Sequence, residues 1–207
     1  MLVPTSSALR VSPNGETSRR NADHVVGVLA LQGDFEAHAK LLRAIGAEPR
    51  EVRVPADLDD LDALIIPGGE STVMTLGIER EGLAEPLREL VRAGTPVLGT
   101  CAGMIMLDRE HLGVLDVSTQ RNAFGRQVRS FEADIDVDGI EGGPMHAVFI
   151  RAPWVSEHGP DVEVLGRVGE HPVAIRQGNV LAVSFHPELS GDSRLHELLL
   201  AAVARGR

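Results

Sequence analysis

The single cysteine of the chain, Cys101, lies in Gly99-Thr100-Cys101-Ala102-Gly103, after a short apolar stretch and before the apolar run Met104-Ile105-Met106-Leu107. This is the pattern of a nucleophile elbow with cysteine in the serine position. A sharp strand-to-helix turn needs small residues on both sides of the nucleophile, and Gly99 and Gly103 supply them. The same turn would set the thiol at a helix N-terminus, where unpaired N–H groups and the helix dipole favour negative charge. Only the thiolate attacks; from an ordinary pKa of about 8.5, a drop of about two units makes it the majority form at neutral pH. A cysteine in isolation reads as a small buried hydrophobe. The flanking glycines and the strand-to-helix context reverse that reading.

Two further segments could complete the chemistry. His186-Pro187-Glu188 follows the apolar run 180–185. In extended chain residues two apart face the same way, so His186 and Glu188 are expected to project together at the carboxyl edge of a parallel sheet, where Cys101 is also expected. A histidine there can take the thiol proton and later protonate a leaving amine, while the carboxylate fixes its tautomer. Alone, His-Pro-Glu reads as a surface turn. Pro67-Gly68-Gly69-Glu70-Ser71-Thr72 follows the apolar run 63–66. The amides of Gly68 and Gly69 can turn into a pocket, with Ala102 N–H as a further donor, and so form an oxyanion hole; one such donor lowers a barrier by about 3–4 kcal/mol. The plain alternative is a turn in which Ser71 or Thr72 caps the next helix.

The elements that must carry these residues alternate between β-branched runs and amphipathic stretches. That is the texture of an α/β fold with a mostly parallel sheet covered on both faces. Strands are expected over 25–31, 48–54, 63–66 and 96–100. Helices are expected over 35–45, with apolar Phe35, Ala39, Leu42 and Ile45 ended by Gly46, over 83–93 ended by Gly94, and directly after Cys101. Beyond Asp108, Phe131, Ala133, Ile135 and Val137 alternate with charged residues, and short runs at 148–150, 162–168, 173–175 and 180–185 predict antiparallel or mixed strands added to the parallel core. Residues 193–204 predict a closing helix.

Composition narrows the function classes. Twenty Lys and Arg against 30 Asp and Glu give a net charge of −10, which would repel nucleic acid, and five Phe, one Trp and no Tyr leave little for base stacking. No apolar run approaches the roughly 20 residues of a membrane span. Residues 1–24 lack an apolar h-region and read as a disordered N-terminal extension, leaving 25–207 as one domain. One cysteine excludes an internal disulfide and suits the cytoplasm. The histidines at 24, 38, 111, 146, 158, 171 and 196 show no metal-ligand spacing, and no glycine pattern marks a nucleotide site, so neither metal nor cofactor is expected.

Taken together, the motifs resemble the class I glutamine amidotransferases, and more narrowly the glutaminase subunit of pyridoxal 5'-phosphate synthase. The resemblance spans about 25–204. It is carried by Gly27-Val28-Leu29-Ala30-Leu31-Gln32-Gly33, the Gly-Gly-Glu-Ser segment, the elbow, Arg121-Asn122-Ala123-Phe124-Gly125-Arg126-Gln127, Phe149-Ile150-Arg151-Ala152-Pro153 and Phe185-His186-Pro187-Glu188-Leu189. The arginine-bearing segments are the more specific. The resemblance implies a three-layer, flavodoxin-like α/β/α fold with Cys101 as nucleophile, His186 as base and Glu188 as its orienter. It further implies glutamine held by Gly69, Glu70, Ser71, Arg121, Ile150 and Arg151, the arginine gripping the α-carboxylate and the glutamate meeting the α-ammonium. Ammonia would pass to a separate synthase subunit that docks near Gln32 and Gly33 and completes the oxyanion hole. The stretch between Cys101 and Arg121 is shorter than in many members. Without the family motifs, Arg121 and Arg151 would be solvated surface charges. The elbow and triad alone leave open a γ-glutamyl hydrolase, an amidotransferase feeding another synthase, or a non-enzymatic thiol sensor.

Overall fold

Short aliphatic runs set most of the parallel frame. The computed structural model describes residues 24–121 and 130–206. Residues 1–23, assigned to the extension, and 122–129, which hold most of the Arg-Asn-x-Phe-Gly-Arg-Gln motif, lie outside the described residues. β1 (Val25–Leu29) leads into α1 (Phe35–Ala44) and β2 (Glu48–Val52), and a 3-10 turn at Pro55–Leu58 precedes β3 (Ala63–Ile66). Helices α2 (Ser71–Arg80) and α3 (Ala84–Arg92) come before β4 (Val97–Thr100), and Cys101 opens α4 (Ala102–Leu107). Strands β5 (Val117–Gln120), β6 (Ser130–Ile135), β7 (Met145–Ile150), β8 (Trp154–His158), β9 (Glu163–Val168), β10 (His171–Gln177) and β11 (Val180–Val183) follow. The short α5 (Pro187–Ser190) and then α6 (Arg194–Gly206) close the chain.

The central sheet has the order β2-β1-β3-β4-β11-β10-β9. β1 to β4 and β11 run parallel, while β10 and β9 are antiparallel. Its inner strands β1, β3, β4 and β11 are buried on both faces, as covered parallel strands must be. Along β3, Ala63 and Ile65 pack into one core with Leu42 of α1, Phe149 of β7, and Leu195 and Leu199 of α6. Leu64 and Ile66 pack into the other with Met74 of α2, Leu87 of α3 and Met104 of α4. The period-two alternation thus builds the three layers, each buried aliphatic side chain contributing about 1.5–3 kcal/mol.

The expected elements recur with shifted ends. Pro96 has no N–H, and the strand begins at Val97. The expected appended strands correct in a larger way: β9 and β10 join the central sheet antiparallel, while β11 lies within the parallel core beside β4. β6 and β7 form a separate antiparallel pair, and β5, which the sequence did not mark, pairs with β8. His24, assigned to the extension, is buried, and its carbonyl accepts the Glu48 N–H at 2.9 Å. Among the described residues, no helix is long and apolar enough to cross a membrane.

Candidate active site

Two neighbouring parallel strands bring the reactive groups together. β4 and β11 pair with Thr100 opposite Val183, and the Cys101 N–H donates to the Val183 carbonyl at 2.8 Å. The elbow therefore leaves the sheet beside the strand that leads to His186. Cys101 adopts φ 48° and ψ −108°, a strained conformation for a residue with a Cβ. Packing holds it there: a Cβ on Gly103 would overlap the Ile66 carbonyl oxygen, and one on Gly99 would strike Leu107. Both glycines the elbow pattern singled out are thus required by close approach.

His186 and Glu188 do converge, though not through an extended strand. β11 stops at Val183, His186 is the residue before α5, and Glu188 lies in the first turn of that short helix. The turn folds Glu188 back beneath the imidazole, and its Oε1 accepts from His186 Nδ1 at 2.6 Å. The His186 N–H donates to the Val148 carbonyl at 2.9 Å, which ties this segment to β7. Cys101, His186 and Glu188 are 6%, 4% and 7% exposed, so all three lie beneath the surface. Burial opposes a charge on His186, but hydrogen bonds to the Cys101 sulfur and to Glu188, with their negative charges, outweigh it and push the imidazole pKa up to about 10.

The cleft above the sulfur holds about 320 Å³ and is lined by Gly69, Glu70, Ser71, Cys101, Ala102, Arg121, Ile150, Arg151 and His186. Every glutamine-binding residue expected from the sequence lies on this wall. Gly68 lies just behind it, where a Cβ would strike the His186 ring and come within 3.3 Å of Cys101 Cβ. Ala102 opens α4, so its N–H has no acceptor within the helix. The Ile150 carbonyl accepts from Cys101 Sγ at 3.8 Å. Arg151 adopts φ 45°, so two of the three described non-glycine residues with positive φ border this cleft.

At the rim the plain alternative does not hold. Neither Ser71 nor Thr72 caps α2; the cap is Glu70, whose carboxylate accepts from the amides of Thr72 and Val73 at 3.1 and 2.9 Å. Those two bonds, and the charge of Arg121 nearby, hold Glu70 below the usual carboxylate range. Gln32, which the sequence assigned to the partner-docking segment, also serves the site, whereas Asp34, Ile105 and His111 were not marked by motif. Gln32 Oε1 accepts the Glu70 N–H at 2.6 Å and so sets the Gly-Gly-Glu loop. Ile105 and Asp34 line the cleft, Asp34 Oδ2 lying 3.8 Å from His186 Nδ1. Arg121 Nη2 donates to His111 Nε2 at 3.4 Å, and His111 Nδ1 donates at 2.7 Å to the buried Asp108. Asp34, His186 and Glu188 bring ligand-type atoms within 4.8 Å of one another, a grouping that spacing along the chain does not reveal.

A three-layer α/β fold on a mostly parallel sheet, with a cysteine elbow at one strand end and a histidine bound to a buried glutamate beside it, is the arrangement of a glutamine amidotransferase. The chain belongs to the SNO glutamine amidotransferase family, which matches residues 28–205. It is similar to proteins of Frankia alni, 56% identical over 86% of this chain and 94% of the relative, and of Acidothermus cellulolyticus, 57% identical over 86% and 93%. Both are named pyridoxal 5'-phosphate synthase subunit PdxT. Among solved structures, one described as a glutamine amidotransferase is 48% identical, covers 86% of this chain and 98% of its own, and superposes with a TM-score of 0.82.

Proposed function

We propose that residues 25–207 form a glutaminase that hydrolyses L-glutamine to glutamate and ammonia through Cys101, His186 and Glu188, and that it delivers the ammonia to a synthase subunit making pyridoxal 5'-phosphate. The observation that carries the reading is the buried 2.6 Å bond from His186 to Glu188 in the cleft that holds the Cys101 sulfur. Glutamine enters with its α-carboxylate toward Arg121 and its α-ammonium toward Glu70, beside Ser71 and the Ile150–Arg151 backbone. The Cys101 thiolate adds to the side-chain amide carbon. The amide oxygen takes the negative charge and is met by the N–H groups of Gly68, Gly69 and Ala102.

Collapse of this adduct breaks the C–N bond as His186 gives its proton to the nitrogen, so ammonia leaves and a thioester remains. His186, now neutral, takes a proton from water as the oxygen adds to the thioester carbon. The second adduct expels the thiolate and yields glutamate. Glu188 keeps the imidazole oriented throughout. One cysteine used as a thiolate suits the reducing cytoplasm.

The names of the relatives, each a subunit of pyridoxal 5'-phosphate synthase, support the synthase as recipient. Ammonia release from glutamine, measured with and without that partner, tests the reading. Release is expected to rise with the partner and to vanish in Cys101→Ala; full turnover in that variant would reject the mechanism.

A further inference from the structure

We propose that His38 and His196 form a buried positioning pair for the glutaminase, their N–H groups pointing in series onto the second oxygen of Glu188 and so holding that carboxylate for His186. The proposal rests on the reading of Cys101, His186 and Glu188 as the catalytic groups. Neither histidine lies in any of the recognised motifs.

Glu188 has no exposed side-chain surface, and its Oε1 is occupied by His186. Its Oε2 is buried with no hydrogen bond of good geometry, yet His38 Nε2 stands 3.3 Å away. The same nitrogen lies 3.2 Å from Thr100 Oγ1, beside the nucleophile. On its other side, His38 Nδ1 is 2.9 Å from His196 Nε2, joining α1 to α6 across the core. Both rings are fully buried. The plain reading is two core histidines satisfied by each other, and it leaves Oε2 unexplained.

The proton positions follow from the one group that can only accept. A carboxylate oxygen beside an imidazole nitrogen requires that nitrogen to carry hydrogen, so His38 is protonated at Nε2 and shares that N–H between Oε2 and Thr100 Oγ1. The sharing accounts for two lengths above 3 Å. His38 Nδ1 is then a bare acceptor, so His196 donates from Nε2. That leaves His196 Nδ1 as a lone pair, and it is the nitrogen without a partner. A stranded acceptor is a lesser fault than a stranded N–H. The opposite tautomers would set a lone pair against the carboxylate.

Burial, with the charges of His196 and His186, keeps His38 well below its ordinary pKa, and burial brings His196 to about 4 despite the pull of Asp192. Both rings are therefore neutral donors at neutral pH. The other titratable groups facing this cluster are His186, Glu188 and Asp34 at the start of α1 on the His38 side, and Asp192 on the His196 side. Without the His38 N–H, Oε2 would be a buried unpaired oxygen, Glu188 would attract a proton, and its hold on the His186 charge would weaken.

The test joins two measurements on the full-length protein. Nitrogen-15 NMR of the histidine rings is expected to show His38 and His196 neutral and protonated at Nε2 from pH 6 to 8; protonation of His38 at Nδ1 would overturn the proposal whatever the variants do. The rate of Cys101 alkylation by iodoacetamide against pH, with ammonia release in the presence of the synthase, reads the consequence. His38→Leu is expected to move the alkylation midpoint up by roughly one unit and to lower kcat about 10-fold with KM little changed. His38→Gln, which returns an N–H near Nε2, should restore most of both. A wild-type pH profile in folded His38→Leu would overturn the proposal, and so would equal profiles for His38→Gln and His38→Asn. If instead wild-type Cys101 alkylates like a free thiol and Cys101→Ala still releases ammonia, the reading of Cys101 as the nucleophile has itself failed.

Discussion

The two walls of the cleft are built differently. The wall proposed to react, Cys101, His186 and Glu188, is buried, stands at the ends of β4 and β11, and holds the 2.6 Å bond between His186 and Glu188. The facing rim of Glu70, Arg121, Ile150 and Arg151 is exposed and rides on loops and strand ends. Bond making tolerates little displacement of the reacting atoms, which suits rigid strand ends, whereas gripping two charges on an amino acid needs only long polar side chains within reach. The difference predicts that damage to the buried wall lowers kcat and damage to the rim raises KM.

His186→Asn should have the largest effect, a loss of about 10,000-fold in ammonia release with glutamine affinity retained; a defect confined to KM would erase the distinction. Next, the buried wall should set the acid limit of the fold. His38 and His196 are held neutral in the native state and would ionise near pH 6.5 once unfolded. Their contribution is complete above pH 6.5 and is lost as pH falls towards 4, the His196 part alone being about 3 kcal/mol. Urea midpoints between pH 7 and 4 should record that loss, and His196→Leu should flatten it. His186 works in the other direction, its contribution complete below pH 6.5 and lost as pH rises through about 10.

Gly68→Ala, which drives a Cβ against the His186 ring, should lower kcat about 100-fold in a protein that still folds, measured by turnover at saturating glutamine. At the rim, Arg121→Ala should raise KM about 10-fold with kcat nearly unchanged. His111→Ala, which removes a neighbour of Arg121 and not the charge, should raise it about 3-fold. A kcat effect from either would show that the rim also shapes the reaction.

How much of this could be read from the sequence follows the range of the interactions. The elbow was legible because its glycines and cysteine are consecutive and the turn is local. The strands β1, β3 and β4 were legible because burial on both faces leaves near-continuous apolar runs. His186 and Glu188 were paired correctly for an incorrect reason: proline at 187 starts a helix, and a helical turn, not a pleat, brings them together. Glu70 as the cap of α2 was missed because Ser and Thr are the commoner choices at that position. The links among His38, His196, Thr100 and Glu188 span up to 158 residues, and no local pattern announces them. One signal existed: His38 falls on the stripe of Phe35, Ala39 and Leu42, and a polar residue on an apolar helix face is a buried one that needs a partner.

The bond from the Cys101 amide to Val183 has a consequence for how this protein can vary. Sulfur and imidazole hang from adjacent strands whose separation, about 4.8 Å, is a property of backbone pairing and owes nothing to the chain that joins them. Loops among the 84 positions between Cys101 and His186 can therefore be trimmed, lengthened or redecorated by evolution or by an engineer while the reactive gap stays at its original gauge.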